Sequence, residues 1–296
     1  MATDVSDIMT FSSEDSVKRM LVKNAVIHSH IEFQYKDGIY VTNGSDALLK
    51  KVLVERGEFE IPSFVTGVYN YDTIGYTSPF IDCISLKVTN RSQITDMDGL
   101  FAESSIEELD LSGFSAAGAA SLKAFLYYCQ DLHTVDLKGF TTSSKLRDVS
   151  FFFKGCSHIS SLDLSTVTTE GVTDFSHMFE DCDSLSEFVS PPDSICGKAE
   201  NLLPIDINNG ESFDYMFSGT KSLESLSLGV CSSALTADGM FRDSGISNLD
   251  MKHLRFAGGW PFSIRDIFAG CRYLDKVNVT EPALVKEIRN RWRYNQ

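Results

Sequence analysis

Two kinds of hydrophobic spacing alternate along this chain, and the alternation recurs. In "FFFKGCSHISSLDL", residues 151–164, an aromatic run and a cysteine give way to apolar residues that tighten to every second position. Anchored on Phe153, the pattern also appears at Phe101, Leu126, Phe179, Phe217, Phe241 and Phe268, at spacings of 25, 27, 26, 38, 24 and 27 residues. Each return ends in an apolar pair two apart: Leu109 and Leu111, Val135 and Leu137, Leu162 and Leu164, Leu226 and Leu228, Leu249 and Met251, Val277 and Val279. Phe188 and Ser190 are a weakened copy. The one long spacing carries "PPDSICGKAENLLPID", an insertion of about a dozen residues near 191–205 that loops out of one coil.

The paired leucines alternate with period two, as a strand with one buried face does, whereas segments such as "VTDFSHMFEDC" place apolar residues three and four apart, as a short helical turn does. One coil therefore reads as strand, corner, loop and helical turn. Such a unit cannot bury its apolar face alone, so neighbours must stack into a continuous core. The expected fold is an α/β solenoid with a parallel strand ladder, rising about 4.8 Å per coil, with short helical turns and right-handed crossovers.

Both ends depart from the repeat. Residues 1–58 predict a helix in "SSEDSVKRMLVKNAVI" capped by Ser or Asp, a hairpin about Lys36-Asp37-Gly38, and a second helix in "SDALLKKVL" opened by Ser45 or Asp46. A first strand left open needs cover, so this segment is expected to cap residues 59–280, with an independent binding module as the alternative. Residues 281–296 place Pro282 in a first turn and Leu284, Ile288 and Trp292 on one stripe, a second capping helix. Its Lys286, Arg289, Arg291 and Arg293 form the one basic cluster, so this helix with Trp292 is also a candidate for docking an acidic partner.

A net charge of −15 disfavours a nucleic-acid partner, whose phosphates require clustered Lys and Arg. The opening residues carry acids and no apolar h-region, and no stretch approaches 18 apolar residues. A cytoplasmic or assembly-associated chain without a membrane span is expected rather than a secreted one. Seven cysteines, an odd number without a CxxC pair, argue against a disulfide framework or zinc site. Cys129, Cys156, Cys182 and Cys271 each lie three residues after an anchor, Cys83 lies likewise after Phe80, and Ser104, Thr220 and Ser244 fill the same column elsewhere. A column of small side chains predicts a tight inner corner, with thiols acting as small hydrophobes rather than nucleophiles.

No GxGxxG, Walker loop, GxSxG or HExxH is present, so neither a cofactor nor catalysis is expected. His28 and His30 would share a strand face but have no third ligand, and His133, His158, His177 and His253 fall at different offsets, so neither a metal site nor a histidine ladder is predicted. The outward position of each strand is Asp110, Asp136, Asp163, Val189, Ser227, Asp250 or Asn278. Flanking positions include Glu108, Thr134, Ser161, Glu187, Ser225 and Lys276. Carboxylates about 5 Å apart repel, so neighbouring side chains, a cation or a basic partner must relieve them. This face is the candidate binding surface.

"VTDFSHMFEDCDSLSEF" and "FKGCSHISSLDLSTVTTEGVTDFSHMF" resemble the repeats of the BspA-like leucine-rich repeat family, and "FEIPSFVTGV" at residues 59–68 is similar to the opening of that family's repeats. The resemblance spans residues 59–280. It implies a leucine-rich-repeat solenoid engaged in adhesion or recognition at cell surfaces, where members commonly bind host or matrix proteins. A second possibility, of another class, is a structural component that packs its faces and caps against neighbouring subunits of a larger assembly.

Overall fold

The structure is a computed structural model that describes residues 8–27, 30–69, 78–90, 94–189, 201–257 and 262–294, with the side chains of residues 27, 43 and 291–294 outside that set. Residue His28 and most of the insertion, residues 190–200, lie outside the described residues.

The N-terminal unit opens with β1 (Met9–Phe11) and α1 (Glu14–Ile27). Ser13 caps α1 by accepting a hydrogen bond from Ser16 N at 3.3 Å, and Glu14 and Asp15 place negative charge in the first turn, where the helix dipole favours it. Val17 and Leu21 bury the inner stripe of the helix. Strands β2 (Glu32–Tyr35) and β3 (Gly38–Asn43) form the expected hairpin, with Tyr35 opposite Gly38 across Lys36-Asp37.

The second expected helix is not formed. Residues Asp46–Val52 are a strand, β4, which pairs antiparallel with β3. Ala, Leu and Lys favour a helix in isolation, but Ala47, Leu49 and Val52 are buried between neighbouring strands, and that pairing overrides local propensity. The boundary near residue 58 also shifts. Strand β5 (Arg56–Ile61) opens the solenoid ladder, while β6 (Val65–Val68) returns to pair with β4, so cap and first coil are interleaved.

The coils follow as β7 (Ser85–Asn90), β8 (Glu108–Asp110), β9 (Thr134–Asp136), β10 (Ser161–Leu162), β11 (Glu187–Phe188), β12 (Ser225–Ser227), β13 (Cys231–Ala234), β14 (Asn248–Asp250), β15 (Leu254–Phe256) and β16 (Lys276–Asn278). All pairings among these strands are parallel. The ladder is segmented into β5-β7-β8-β9, β10-β11 and β12-β14-β16, with β13-β15 forming a separate side. The closing helix α2 (Pro282–Tyr294) buries Leu284 and Ile288 in the hydrophobic core cluster. No helix among the described residues is long and apolar enough to cross a membrane.

Among the described residues, the short turns expected before each anchor are linked tight turns rather than α-helix. Examples are Leu100 N to Met97 O, Ala102 N to Gly99 O and Ser104 N to Phe101 O at 3.2, 3.0 and 3.3 Å. Alternate amides donate to the next coil instead: Gly99, Phe101 and Glu103 to the carbonyls of Lys123, Phe125 and Tyr127. A three-residue turn repeats nearly as a helix does, so Phe175, Met178 and Phe179 are buried at helical spacing without a helix.

Inside, aromatic rings stack coil upon coil. Phe153–Phe179, Phe179–Phe217, Phe217–Phe241 and Phe241–Phe268 lie 5.8, 5.4, 5.6 and 5.9 Å apart with planes within 16°. Where Leu126 occupies the anchor, Phe125 supplies the ring one residue earlier, 5.2 Å from Phe101 and 5.1 Å from Phe152. Each buried Phe contributes about 2 kcal/mol of transfer free energy, so this column is the main source of cohesion between coils.

Candidate functional site

Each outward Asp of the strand ladder first serves the backbone. Asp110, Asp136, Asp163 and Asp250 accept hydrogen bonds through Oδ1 from the amides of Ser112, Lys138, Ser165 and Lys252 at 2.7, 2.9, 3.0 and 3.1 Å. This Asx turn rounds the corner after the strand and accounts for the recurring Leu-Asp-Leu spelling. The second carboxylate oxygen meets a lysine at two of the four, and Lys252 Nζ lies 3.4 Å from Asp250 Oδ2. Lys87 Nζ sits 3.3 Å from Asp110 and 3.1 Å from Ser112 Oγ, and Glu108 accepts from Ser85 Oγ at 3.0 Å. Burial alone would raise the Asp110 carboxyl, but the Ser112 hydroxyl and amide and Lys87 hold it below its ordinary value.

No backbone ladder joins β9 to β10, and there the face opens. Val135 is only partly buried, unlike Leu109 or Leu162 in neighbouring coils, and a groove of about 510 Å³ crosses the strand face. Its walls hold Glu108, Asp110, Asp136 and Asp163 together with Lys87 and Lys138, and Val189 lines its far end with 43% of its surface exposed. The structure thus brings six of the sequence-predicted ladder residues into one concavity, Thr134 and Val189 along with the four carboxylates. Glu187 is exposed on β11 outside it, and Asp250 and Asn278 lie beyond the insertion, paired in register with Ser227 on a separate sheet. On α2, Arg289 is exposed, and the side chains of Arg291, Trp292 and Arg293 lie outside the described residues.

The insertion rejoins the ladder at Asn201, through its backbone, with Ser227 N donating to Asn201 O at 3.1 Å and Leu203 N to Ser227 O at 3.0 Å, and through its side chain. Asn201 Oδ1 accepts from Phe188 N at 2.6 Å, and its Nδ2 donates to Ser186 O and Ser225 O at 3.0 and 2.8 Å. The amide stands in for the missing strand between β11 and β12.

The cysteine column is interior, and its thiols act as inter-coil donors. Cys129, Cys156, Cys182 and Cys271 donate to the carbonyls of Phe101, Leu126, Phe153 and Phe241 at 3.0, 3.1, 3.1 and 2.7 Å. Burial pushes the Cys83 thiol up to about 12 and raises Cys156, Cys182 and Cys231 as well, which leaves those sulfurs protonated and unreactive. Among the described residues no cluster of three His, Cys, Asp or Glu side chains is arranged to hold a metal ion.

The opposite, turn-rich face carries a feature that offset counting missed. Phe151, His177 and Tyr215 each lie two residues before an anchor, each with a left-handed backbone, at φ 61°, 58° and 55°. Their rings stack: Phe151–His177 at 4.4 Å and 10°, His177–Tyr215 at 5.1 Å and 9°. Lys123 and Lys154 place ammonium groups 5.6 Å from the Phe151 ring, and Glu180 bonds both Lys154 at 2.6 Å and His177 Nδ1 at 2.5 Å. The signal lay in aligning this column across coils rather than in following histidines. His133 and His158, whose differing offsets predicted no histidine ladder, also meet, with ring centres 5.1 Å apart.

A family described as "Mycoplasma protein of unknown function, DUF285" has a sequence model that matches residues 79–192, well under half of the chain. No curated protein and no solved structure matches the chain.

Proposed function

We propose that this chain is a non-enzymatic recognition solenoid of the BspA-like leucine-rich-repeat type, which holds a protein partner on its strand face. The groove where the ladder opens between β9 and β10 carries the reading. It is concave and combines an exposed valine with the carboxylates of Asp136 and Asp163. Regular coils give the extended surfaces on which solenoids take macromolecular partners. Adhesion at a cell surface is the version of this role that the repeat spelling supports.

The test separates charge from folding. Asp136→Asn and Asp163→Asn keep an oxygen for the Asx turn and remove only charge. Capture of a partner copurified from the native source, identified by mass spectrometry, is expected to weaken about tenfold, with the melting temperature unchanged. Asp136→Lys and Asp163→Lys are expected to weaken it further. Undiminished capture by all four variants would remove the groove from consideration.

One observation favours the second reading, a permanent component of an assembly. Val22 and Val26, one turn apart on α1, are 72% and 83% exposed and form an apolar stripe on the outside of the cap. A constant stoichiometry with a neighbouring subunit, lost in Val22→Lys, would support that role over reversible capture.

A further inference from the structure

The groove does not end at the first coils. A second cavity, about 330 Å³, is walled by Lys36 and Asp37 of the cap hairpin, by Glu58 and Glu60 of β5, and by Lys87 and Thr89 of β7. Lys87 lines both cavities. Because β5 belongs to the solenoid while the chain on either side of it belongs to the cap sheet, the two cavities are neighbouring parts of one surface built jointly by cap and coils.

We infer that these cavities form one trough that takes an extended basic polypeptide segment running across the strands, with the cap hairpin reading one end of it. This rests on the strand-face reading above and adds the partner's chemistry and the cap's part in binding it. Seven carboxylates line the two cavities, Asp37, Glu58 and Glu60 in one and Glu108, Asp110, Asp136 and Asp163 in the other, against three lysines, Lys36, Lys87 and Lys138. Two of those lysines are engaged: Lys87 with Asp110 at 3.3 Å, and Lys36 over the Tyr35 ring at 5.4 Å. The surplus calls for cationic side chains on the partner.

The shape calls for an extended one. Gly57 lies on the floor with nothing within 4 Å of where a Cβ would stand, and Ser85 and Thr134 continue the floor with short side chains. The paired strands β5, β7, β8 and β9, at about 4.8 Å each, span roughly 14 Å, the reach of about four extended residues before the break to β10.

The experiment is fluorescence anisotropy of a labelled alternating Lys-Ser peptide titrated with the full chain at low salt. Asp37→Lys, Glu58→Lys and Asp163→Lys are each expected to weaken binding about three- to tenfold, while Asp275→Lys, an equal charge change lining neither cavity, leaves it unchanged. Asp37 and Glu58 are exposed, so these reversals leave the fold intact, which unchanged melting temperatures verify. If Asp163→Lys weakens binding and the two cap-side variants do not, the cap plays no part and the inference fails while the strand-face reading survives. Equal weakening by all four variants reduces the attraction to diffuse charge and overturns it. A wild-type chain that does not bind the peptide overturns the basic partner, leaving the groove to its own test with the copurified protein.

Discussion

A thiol column and a glycine–aspartate pairing show what single positions do in this fold. The described cysteines, at 83, 129, 156, 182, 231 and 271, are all buried. Their reaction with a thiol reagent such as DTNB is expected to await global unfolding and to track the denaturant transition; fast labelling of any of the six in the native protein would contradict the interior assignment. The column was legible because small residues recur at one offset. Left-handed positions were not, because backbone φ leaves no mark when Phe151, His177, Asp181 and Tyr215 occupy sites where glycine is cheapest. Packing explains the alternation: at Gly219, φ +72°, an added Cβ would collide with the Asp181 carboxylate of the preceding coil, and at Gly155 it would meet the Tyr128 ring at 3.0 Å. Gly219→Ala is expected to cost more than about 1 kcal/mol in urea unfolding, from backbone strain plus the Asp181 contact. Asp181→Ala should recover the contact share alone, so a double mutant as stable as wild type would disprove the strain.

Among the elements, strand and corner were readable and the turns between them were not. Period-two leucines mark a strand whichever neighbour it has, whereas a chain of tight turns imitates the three-and-four spacing of a helix, and only the inter-coil amide bonds tell them apart. Strand β4 was hidden for a related reason, since its partners β3 and β6 are supplied by the hairpin and by a strand beyond β5. The groove was half legible: its Asp positions followed from alternation, but the break between β9 and β10 that opens it has no sequence signature we can name. Asn201 offers the sharpest test at this level. Asn201→Ala removes three hydrogen bonds that splice β11 to β12 and is expected to cost about 2 kcal/mol, with hydrogen-exchange protection falling at the Phe188 amide. Protection there equal to wild type would show that the insertion closes the ladder without this amide.

Across the whole molecule, the continuous spine is the turn face rather than the strand face. Single-residue bridges run without interruption from Asp96 through Ser121, Asp148, Asp174, Ser212 and Thr236 to Ser263, passing the insertion, whereas the strand ladder breaks into separate sheets. Midway along that spine lie Lys154, His177 and Glu180, with Glu180 bonded to both of the others. Burial would raise the Glu180 carboxyl, but hydrogen bonds and charge from His177 and Lys154 hold it below its ordinary value. A carboxylate lowered on folding stabilises the native state above the ordinary Glu range, near pH 4.3, and that contribution disappears as pH falls through the lowered value. Asp98 and Asp181 oppose it: burial raises both, so each costs stability at neutral pH and returns it on acidification. Glu180→Gln should therefore lower the urea midpoint at about pH 7 and approach wild type at about pH 3, with Asp98 unaffected by the change and Asp181, which burial and then the Glu180 charge push up, partly relieved by it. A deficit of equal size at both pH values would mean that the side chain is held by packing rather than by its charge, and that the Lys154–Glu180–His177 cluster does not tie the coils together electrostatically.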